Sequence, residues 1–426
     1  MSFTPSKTKN ERFATALVDC NNFFVSCEQI FNPRLKNKPV VVLSNNDGCI
    51  VSRSAQAKAL QIPMAAPYFE YKSYFEAHGG IALSSNFELY GDISQRVMQS
   101  LQSFGYKTEI YSIDEAFIQI PLPLEKLEFL AYSIRKSLLK WTGITVSIGV
   151  APSKVLAKVA NRQAKKSEQG LWIANMNALN SLLPTLPVDE LWGISRSLGS
   201  KLRALGIQSA KQLQEADPFQ LRKATSVAVE KILWELRGIN CLELETVSAK
   251  KTILCSRSFA KPVQDLKDLE EALSSYVQRA SEKLRAQQLR AQGLCVFLRT
   301  SYYQSKENTY SHSINRALTA TNNTSKLIQE ALSILKTLYK EGYNYQKVGV
   351  LFWNLTPTHN EPLDCFQSVD FSKSDRLMQT LDHINQCMGK NSLFYASQGL
   401  KQKWSTRSSN RSARYTTCWN ELPLAF

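Results

Sequence analysis

The stretch YSIDEAF, residues 111–117, sets two carboxylates side by side between apolar runs. In a regular strand, adjacent side chains point to opposite faces, so Asp114 and Glu115 could not act together there. The flanking runs, EIYS (109–112) and AFIQI (116–120), read as two short strands. The acids then fall at the hairpin reversal between them, where alternation no longer separates neighbours. A third acid, Asp19, ends another buried-looking run, FATALVD (13–19). If these strands are neighbours in one sheet, Asp19, Asp114 and Glu115 converge at one sheet end, within reach of the same pair of ions. Carboxylates that close repel unless cations lie between them. Magnesium suits an all-oxygen site of this kind, and two such ions can activate a hydroxyl and stabilise a leaving phosphate oxygen. Taken alone, the Asp-Glu pair also fits a solvent-facing turn, since acids are common in turns.

A chain of 426 residues is long for one domain and suggests two to four. Apolar residues make up 43% and charged residues 21%, which is globular material with ample core. Lys and Arg total 52 against 36 Asp and Glu, a net charge of +16. That surplus matches a polyanion, either nucleic acid or an anionic membrane. No apolar run approaches bilayer length, and MSFTPSKTKNERFATALVD has no signal-peptide stretch. A cytoplasmic protein that meets nucleic acid is the expectation. The nine cysteines include no C-x-x-C pair, and His78, His312, His359 and His383 offer no zinc spacing. The cysteines read as ordinary core residues of a reduced compartment.

PVVVLS (39–44) and ITVSIGV (144–150) are further buried strands. The segment APSKVLAKVANRQAKK continues as a helix from about Ser153, a suitable N-cap. On that helix Lys154, Lys158, Arg162 and Lys165 recur at spacings of four, four and three. They form one basic stripe, which fits a solvated face or a phosphate-facing one. Residues 188–217 form short helices separated by Gly193 and Gly206, continuing to about Arg237. From about Ser248 the pattern becomes β-α-β-β-α-β, with strands at 251–259, 293–299, 308–314 and 346–353 and helices at about 266–290 and 325–340. Residues 248–358 hold 16 basic and 8 acidic side chains, half of the chain's excess, as suits a domain lying on nucleic acid. Beyond Pro357 the chain turns polar. Between His383 and Trp419 it has no acid but carries Lys390, Lys401, Lys403, Arg407, Arg411 and Arg414. This reads as an irregular tail, partly disordered alone and ordered by a partner.

YSIDEAF together with LVDCNNFFVSCE (17–28) resembles the Y-family DNA polymerases, which copy past damaged template. VVVLSNNDGCIVSRSAQAKAL (40–60), SSNFELYGDIS (84–94), LPVDELWGIS (186–195), CSRSF (255–259) and RYTT (414–417) narrow it to the UmuC-like branch and its plasmid-borne members. The resemblance runs from about residue 13 to 418. It implies an α+β, right-hand-like polymerase. Residues 1–12 are then an N-terminal extension, and 13–180 a palm with fingers inserted at about 34–86. Residues 181–247 are a helix-hairpin-helix thumb, 248–358 a ferredoxin-like little finger, and 359–426 a partner-binding tail. The implied activity is DNA-directed translesion synthesis in the SOS response, by two-metal nucleotidyl transfer from deoxynucleotides and without proofreading.

The resemblance also assigns residues. Asp19, Asp114 and Glu115, with the backbone carbonyl of Cys20, would hold two magnesium ions. Phe24, five past the first acid, would lie against C2′ of the incoming sugar as a steric gate that excludes a 2′-hydroxyl by clash; Phe23 is core. Ser52, Lys58 and Lys165 match positions near the triphosphate. Lys58 replaces an arginine of many relatives and binds as a point charge rather than a fork. Ala55 stands where many members carry tyrosine, so one phosphate contact is missing. The Gly193-Ile194-Ser195 turn would offer backbone N–H groups to a DNA phosphate, and the little finger would grip duplex backbone. PLDCF (362–366) partly fits a sliding-clamp segment through Leu363 and Phe366, without its glutamine and second leucine. The tail is where a processed UmuD-like subunit and the RecA filament would engage. A non-catalytic DNA-binding scaffold is the rival, and the three intact acids stand against it. A palm-domain cyclase is another, and it has no need of a basic distal domain.

Overall fold

The computed structural model describes residues 13–121, 124–245, 250–302, 309–358, 371–400 and 404–422. The extension at 1–12 and the PLDCF segment, with Leu363 and Phe366, lie outside the described residues. The chain divides into two compact units. One comprises Met1–Ser44, Cys49–Val247 and Asn410–Phe426; the other comprises Asn45–Gly48 and Ser248–Ser409.

The first unit runs β1 (Ala14–Cys20), α1 (Phe23–Phe31), β2 (Val40–Leu43), β3 (Ile50–Arg53), α2 (Ala55–Ala59), α3 (Tyr68–Ala77), β4 (Ile81–Ser84), α4 (Phe87–Gln102), β5 (Lys107–Ile110), β6 (Glu115–Ile120), α5 (Leu124–Thr142), β7 (Val146–Ala151), α6 (Lys154–Ala164) and β8 (Leu171–Ile173). Short helices follow as α7 (Met176–Leu182), α8 (Arg196–Ala204), α9 (Ala210–Glu215), α10 (Pro218–Ala224) and α11 (Val227–Leu236). Most of them open on a side-chain cap from Asn175, Ser195, Ser209 or Asp217, which satisfies an otherwise orphaned backbone N–H.

The main sheet has the order β5-β6-β1-β7-β8. Every residue of β1 is buried, as expected of a central strand covered on both faces. Ala14, Ala16, Val18 and Cys20 point into one core, while Leu17 points into the other, with Val155, Leu156 and Val159 of α6. The two-residue period therefore places Asp19 on the α6 face with Leu17. In β6 the same alternation puts Ala116 and Ile118 in the first core and Phe117 in the second. Glu115 thus shares the α6 face.

Helix α6 lies unusually close to this sheet. Ser153 caps it, accepting from Leu156 N at 3.4 Å. Asn161 Nδ2 donates to Leu17 O and Ser147 O at 3.2 and 2.8 Å, stitching the helix to β1 and β7. Gly149 of β7 lies directly beneath, and a Cβ there would fall 2.0 Å from the Asn161 backbone nitrogen. Only a residue without Cβ permits this approach.

The second unit runs β9 (Thr252–Val263), α12 (Leu266–Ala286), β10 (Leu289–Thr300), β11 (Ser311–Thr321), α13 (Thr324–Leu338) and β12 (Tyr345–Pro357). Its antiparallel sheet has the order β11-β10-β12-β9, so β12 lies between the two strands that α12 connects, a split β-α-β unit. The strands extend several residues beyond their sequence-based limits, to Val263, Thr321 and Pro357.

The tail is more ordered than its composition suggests. Helix α14 (Phe371–Met388) buries Met378 and Leu381 in the second unit. Arg285 grips Asp382 through two bonds of 2.6 Å, and Arg290 Nη2 meets Asp375 Oδ2 at 2.7 Å. Trp404 is buried edge-on to Tyr276. These anchors are single residues, which a count of charge and polarity overlooks.

Gly149→Ala should force α6 off the sheet and lower stability by about 3 kcal/mol, the upper range for overpacking. Urea unfolding measures it, and an unchanged midpoint would show that α6 adjusts freely.

Candidate active site

The three predicted acids do not meet in the way the hairpin reading expects. Asp19 and Glu115 are direct cross-strand partners in the β1–β6 register. Facing residues of an antiparallel pair present their side chains on the same side. The two carboxyl groups share a hydrogen bond. Convergence therefore comes from strand register, with Glu115 already the first residue of β6. Asp114 occupies the turn before it. Its carbonyl accepts from Cys20 N at 2.8 Å, and its carboxylate accepts from Ser112 Oγ at 2.6 Å. Ser112 also accepts from Glu115 N, so one hydroxyl shapes the whole turn.

The electrostatics follow from this geometry. Burial pushes the Asp19 carboxyl up to about 7; Lys165 opposes the shift, and the bond to Glu115 reinforces it. Glu115 goes the other way: against its own burial, hydrogen bonds from Asp19 and Lys158 hold it below the usual carboxylate range. Lys165 Nζ reaches Asp19 Oδ2 at 2.7 Å, and Lys158 Nζ reaches Glu115 Oε2 at 2.7 Å. Lys158 also lies 4.6 Å over the Tyr111 ring, whose hydroxyl accepts from Trp192 Nε1 at 2.9 Å.

The basic stripe of α6 is thus a row of ion pairs. Lys154 is buried on Glu109 at 2.5 Å, Arg162 pairs with Glu190, and the other two hold the site acids. Helical spacing identified the lysines but not the acids, which come from four different places in the chain.

The other assigned residues separate into two groups. Lys58 lies near Arg53, Lys165 and Asp19. Although the residue is exposed, partial desolvation of its ammonium and the neighbouring cations hold it below the usual lysine range. Arg53 adds its charge on Lys58, and its guanidinium donates to Ile62 O. Ser52 is buried, and its hydroxyl accepts from Val25 N of α1 at 3.4 Å, which anchors the helix carrying Phe24. Phe23 is core; Phe24 is half-buried, with its ring stacked on Tyr90 at 4.6 Å. Ala55 opens α2 behind the Ser54 cap. Gly193 has φ +90, and Ser195 caps α8.

Among the described residues, no three His, Cys, Asp or Glu side chains form a closed metal cluster. The donor chemistry nevertheless fits a hard cation. Two carboxylates lie in contact, and the Asp114 backbone carbonyl is tied to Cys20 N next to them; each of the three acids raises the Cys20 thiol further. Among the described residues, no helix is long and apolar enough to cross a membrane.

Comparison with known proteins gives the family. Residues 18–162 match the impB/mucB/samB family, 250–365 match that family's C-terminal domain, and 375–425 match a domain of unknown function. The chain is 39% identical to Protein UmuC of Salmonella typhimurium over 416 residues, spanning 96% of this chain and 99% of that protein. It is 36% identical to Protein MucB of Escherichia coli, with the same coverage of both chains. DNA polymerase IV of Oceanobacillus iheyensis is 25% identical over 91% of this chain and 92% of its own length. Among solved structures, a Y-family DNA polymerase chimera shares the fold with a TM-score of 0.68 at 22% identity, covering 81% of this chain and 99% of that chain. With nearly its whole length matched, this chain belongs to the impB/mucB/samB family, the UmuC-like branch of the Y-family DNA-directed DNA polymerases.

Proposed function

We propose that the chain carries out translesion DNA synthesis in the SOS response, in the cytoplasm and without proofreading. The observation that supports this best is the Asp19–Glu115 contact where β1 meets β6, with Lys165 on it and Lys58 near it.

Asp19, Asp114, Glu115 and the Cys20 carbonyl are the groups that would hold two magnesium ions. Bound there, the ions would supply a more acidic primer hydroxyl and charge stabilisation for the departing pyrophosphate. The chain's own residues position and neutralise, which is most of what phosphoryl transfer demands. Lys58, Arg53 and Lys165 attract and orient the triphosphate. Ser52 acts indirectly, by fixing the start of α1. Phe24, held on that helix, occupies the space a 2′-hydroxyl would need. The Gly193-Ile194-Ser195 turn and the second unit hold primer–template DNA through its backbone. A processed UmuD-like subunit and the RecA filament engage the tail, and a sliding-clamp contact at Leu363 and Phe366 rests on sequence alone.

Primer extension with magnesium, with and without activated RecA and the processed UmuD-like subunit, tests the acids. Asp114→Ala should reduce extension by about a thousandfold or more; extension insensitive to it under every condition would remove Asp114 from the site. Phe24→Ala should raise ribonucleotide insertion by about a hundredfold, since one steric clash carries the discrimination. Unchanged sugar selection would move the gate elsewhere.

Asp19 should also show the mark of a residue kept for function at the expense of stability. Its folded pKa lies above the ordinary value of 3.8, so its contribution to stability is greatest at low pH and is lost as pH rises towards 7. Asp19→Asn should therefore abolish extension yet raise stability at pH 8 by on the order of 2 kcal/mol. The gain should shrink as the pH falls below 7 and vanish only below about 3.8, where the carboxyl is protonated in the folded and the unfolded chain alike. Urea midpoints at the two ends of this range check the sign.

A further inference from the structure

The last described stretch of the tail, residues 410–422, packs within the first unit, more than 300 residues along the chain from the elements it touches. Its contacts fall on α1, the end of β4 and the start of α4. Asn410 N donates to Ser84 Oγ at 3.0 Å, and Ser84 N donates back to Asn410 O at 3.0 Å. A β-bridge between Ser84 and Arg411 continues the join. Asn86, which caps α4, donates from Nδ2 to Ser412 Oγ at 2.9 Å and to Ala413 O at 3.0 Å. Tyr415 stacks flat on Phe31 at the far end of α1, with ring centres 5.0 Å apart.

These contacts meet at one buried group. Glu28 of α1 is 1% exposed. Its Oε1 accepts from Tyr90 Oη at 2.6 Å and from Ser412 Oγ at 3.0 Å. A carboxylate this buried is stable only with such donors, and the tail supplies one of the two named here. Burial still pushes its pKa up, and the two donors oppose that. Tyr90 is fixed at both ends: its hydroxyl is held by Glu28, and its ring stacks within 14° of parallel on Phe24. Glu28 lies one helical turn beyond Phe24, on the same face of α1. The line from the tail to the gate is therefore Ser412, Glu28, Tyr90, Phe24.

We infer that the C-terminal segment around Ser412 sets sugar selection, by bracing Tyr90 through Glu28 so that the Phe24 ring cannot tilt away from the incoming sugar. This rests on the reading of Phe24 as the gate. It gives the end of the domain of unknown function a task within the polymerase itself. Ser412, Glu28 and Tyr90 are positioning residues, since Phe24 lies between them and the sugar.

The test is single-nucleotide insertion by the full-length protein, in the extension assay above, with kcat/KM compared for a ribonucleotide and the matching deoxynucleotide. Ser412→Ala and Tyr90→Phe conserve the packed volume closely and should each raise the ribonucleotide-to-deoxynucleotide ratio by about threefold. Tyr90→Leu, which removes the stacked ring, should raise it by about tenfold. Ser412→Thr should restore the native ratio. In a Phe24→Ala background, Ser412→Ala should have no further effect, because the two act in one line. If Phe24→Ala relaxes selection while Ser412→Ala and Tyr90→Phe leave it unchanged, the inference fails and the gate reading stands. The inference fails equally if Ser412→Ala adds its full effect to Phe24→Ala. If Phe24→Ala itself changes nothing, the gate reading and the inference fall together.

Discussion

Two carboxyl groups placed opposite each other across a strand pair are the constraint from which the first unit is built. The β1–β6 register leaves Asp19 and Glu115 no freedom to separate. At an effective dielectric of about 20, two unit charges 4 Å apart interact by about 4 kcal/mol. Two features relieve this: the Asp19 carboxyl is pushed up to about 7, and α6 brings Lys158 and Lys165 down onto the pair. That approach depends on Gly149, on Asn161 tied to two strand carbonyls, and on the Ser153 cap that starts the helix in phase. A single missing Cβ at Gly149, near the end of ITVSIGV, thus decides how close the counter-charges come.

What was legible in the sequence was local. Continuous apolar runs marked the buried strands, Ser153 marked the start of α6, and the β-α-β-β-α-β alternation of the second unit was plain. The acids themselves were legible because two adjacent carboxylates break the pattern of a strand. How they meet was not. A hairpin reversal and a cross-strand pairing both bring acids together, and only register separates them; register is fixed by whole strand faces, without a local signature. The same holds for the partners of α6: Glu109, Glu115, Glu190 and Asp19 lie up to 146 positions from their lysine or arginine, so no spacing rule reveals them.

The tail shows the opposite failure. Its long acid-free stretch suggested a segment awaiting a partner, because composition averages over residues. Burial does not average: Met378, Leu381, Trp404 and Tyr415 are few, yet each finds a place in a folded unit. Its basic side chains also find acids outside the stretch, as Arg414 does in Glu421, whose carboxyl it holds down at about 2. Charge bias predicts disorder only when apolar anchors are missing as well.

The ion pairs along α6 differ in what they can do, and burial sets the difference. Lys154 and Glu109 are 4% and 9% exposed, so removing either strands a charge in the interior, at a cost of about 3–5 kcal/mol. That pair is architecture. Arg162 and Glu190 are nearly half exposed, and such pairs contribute about 1 kcal/mol or less. Lys165 combines the two situations: its own side chain is 46% exposed, while its partner Asp19 is 7% exposed. The lysine can therefore leave for a phosphate at little cost to itself. Asp19 cannot follow it into solvent and must take up a proton or another cation. An asymmetric pair of this kind hands a buried carboxylate from one positive charge to the next, which is what a site that binds and releases charged substrates at every cycle requires.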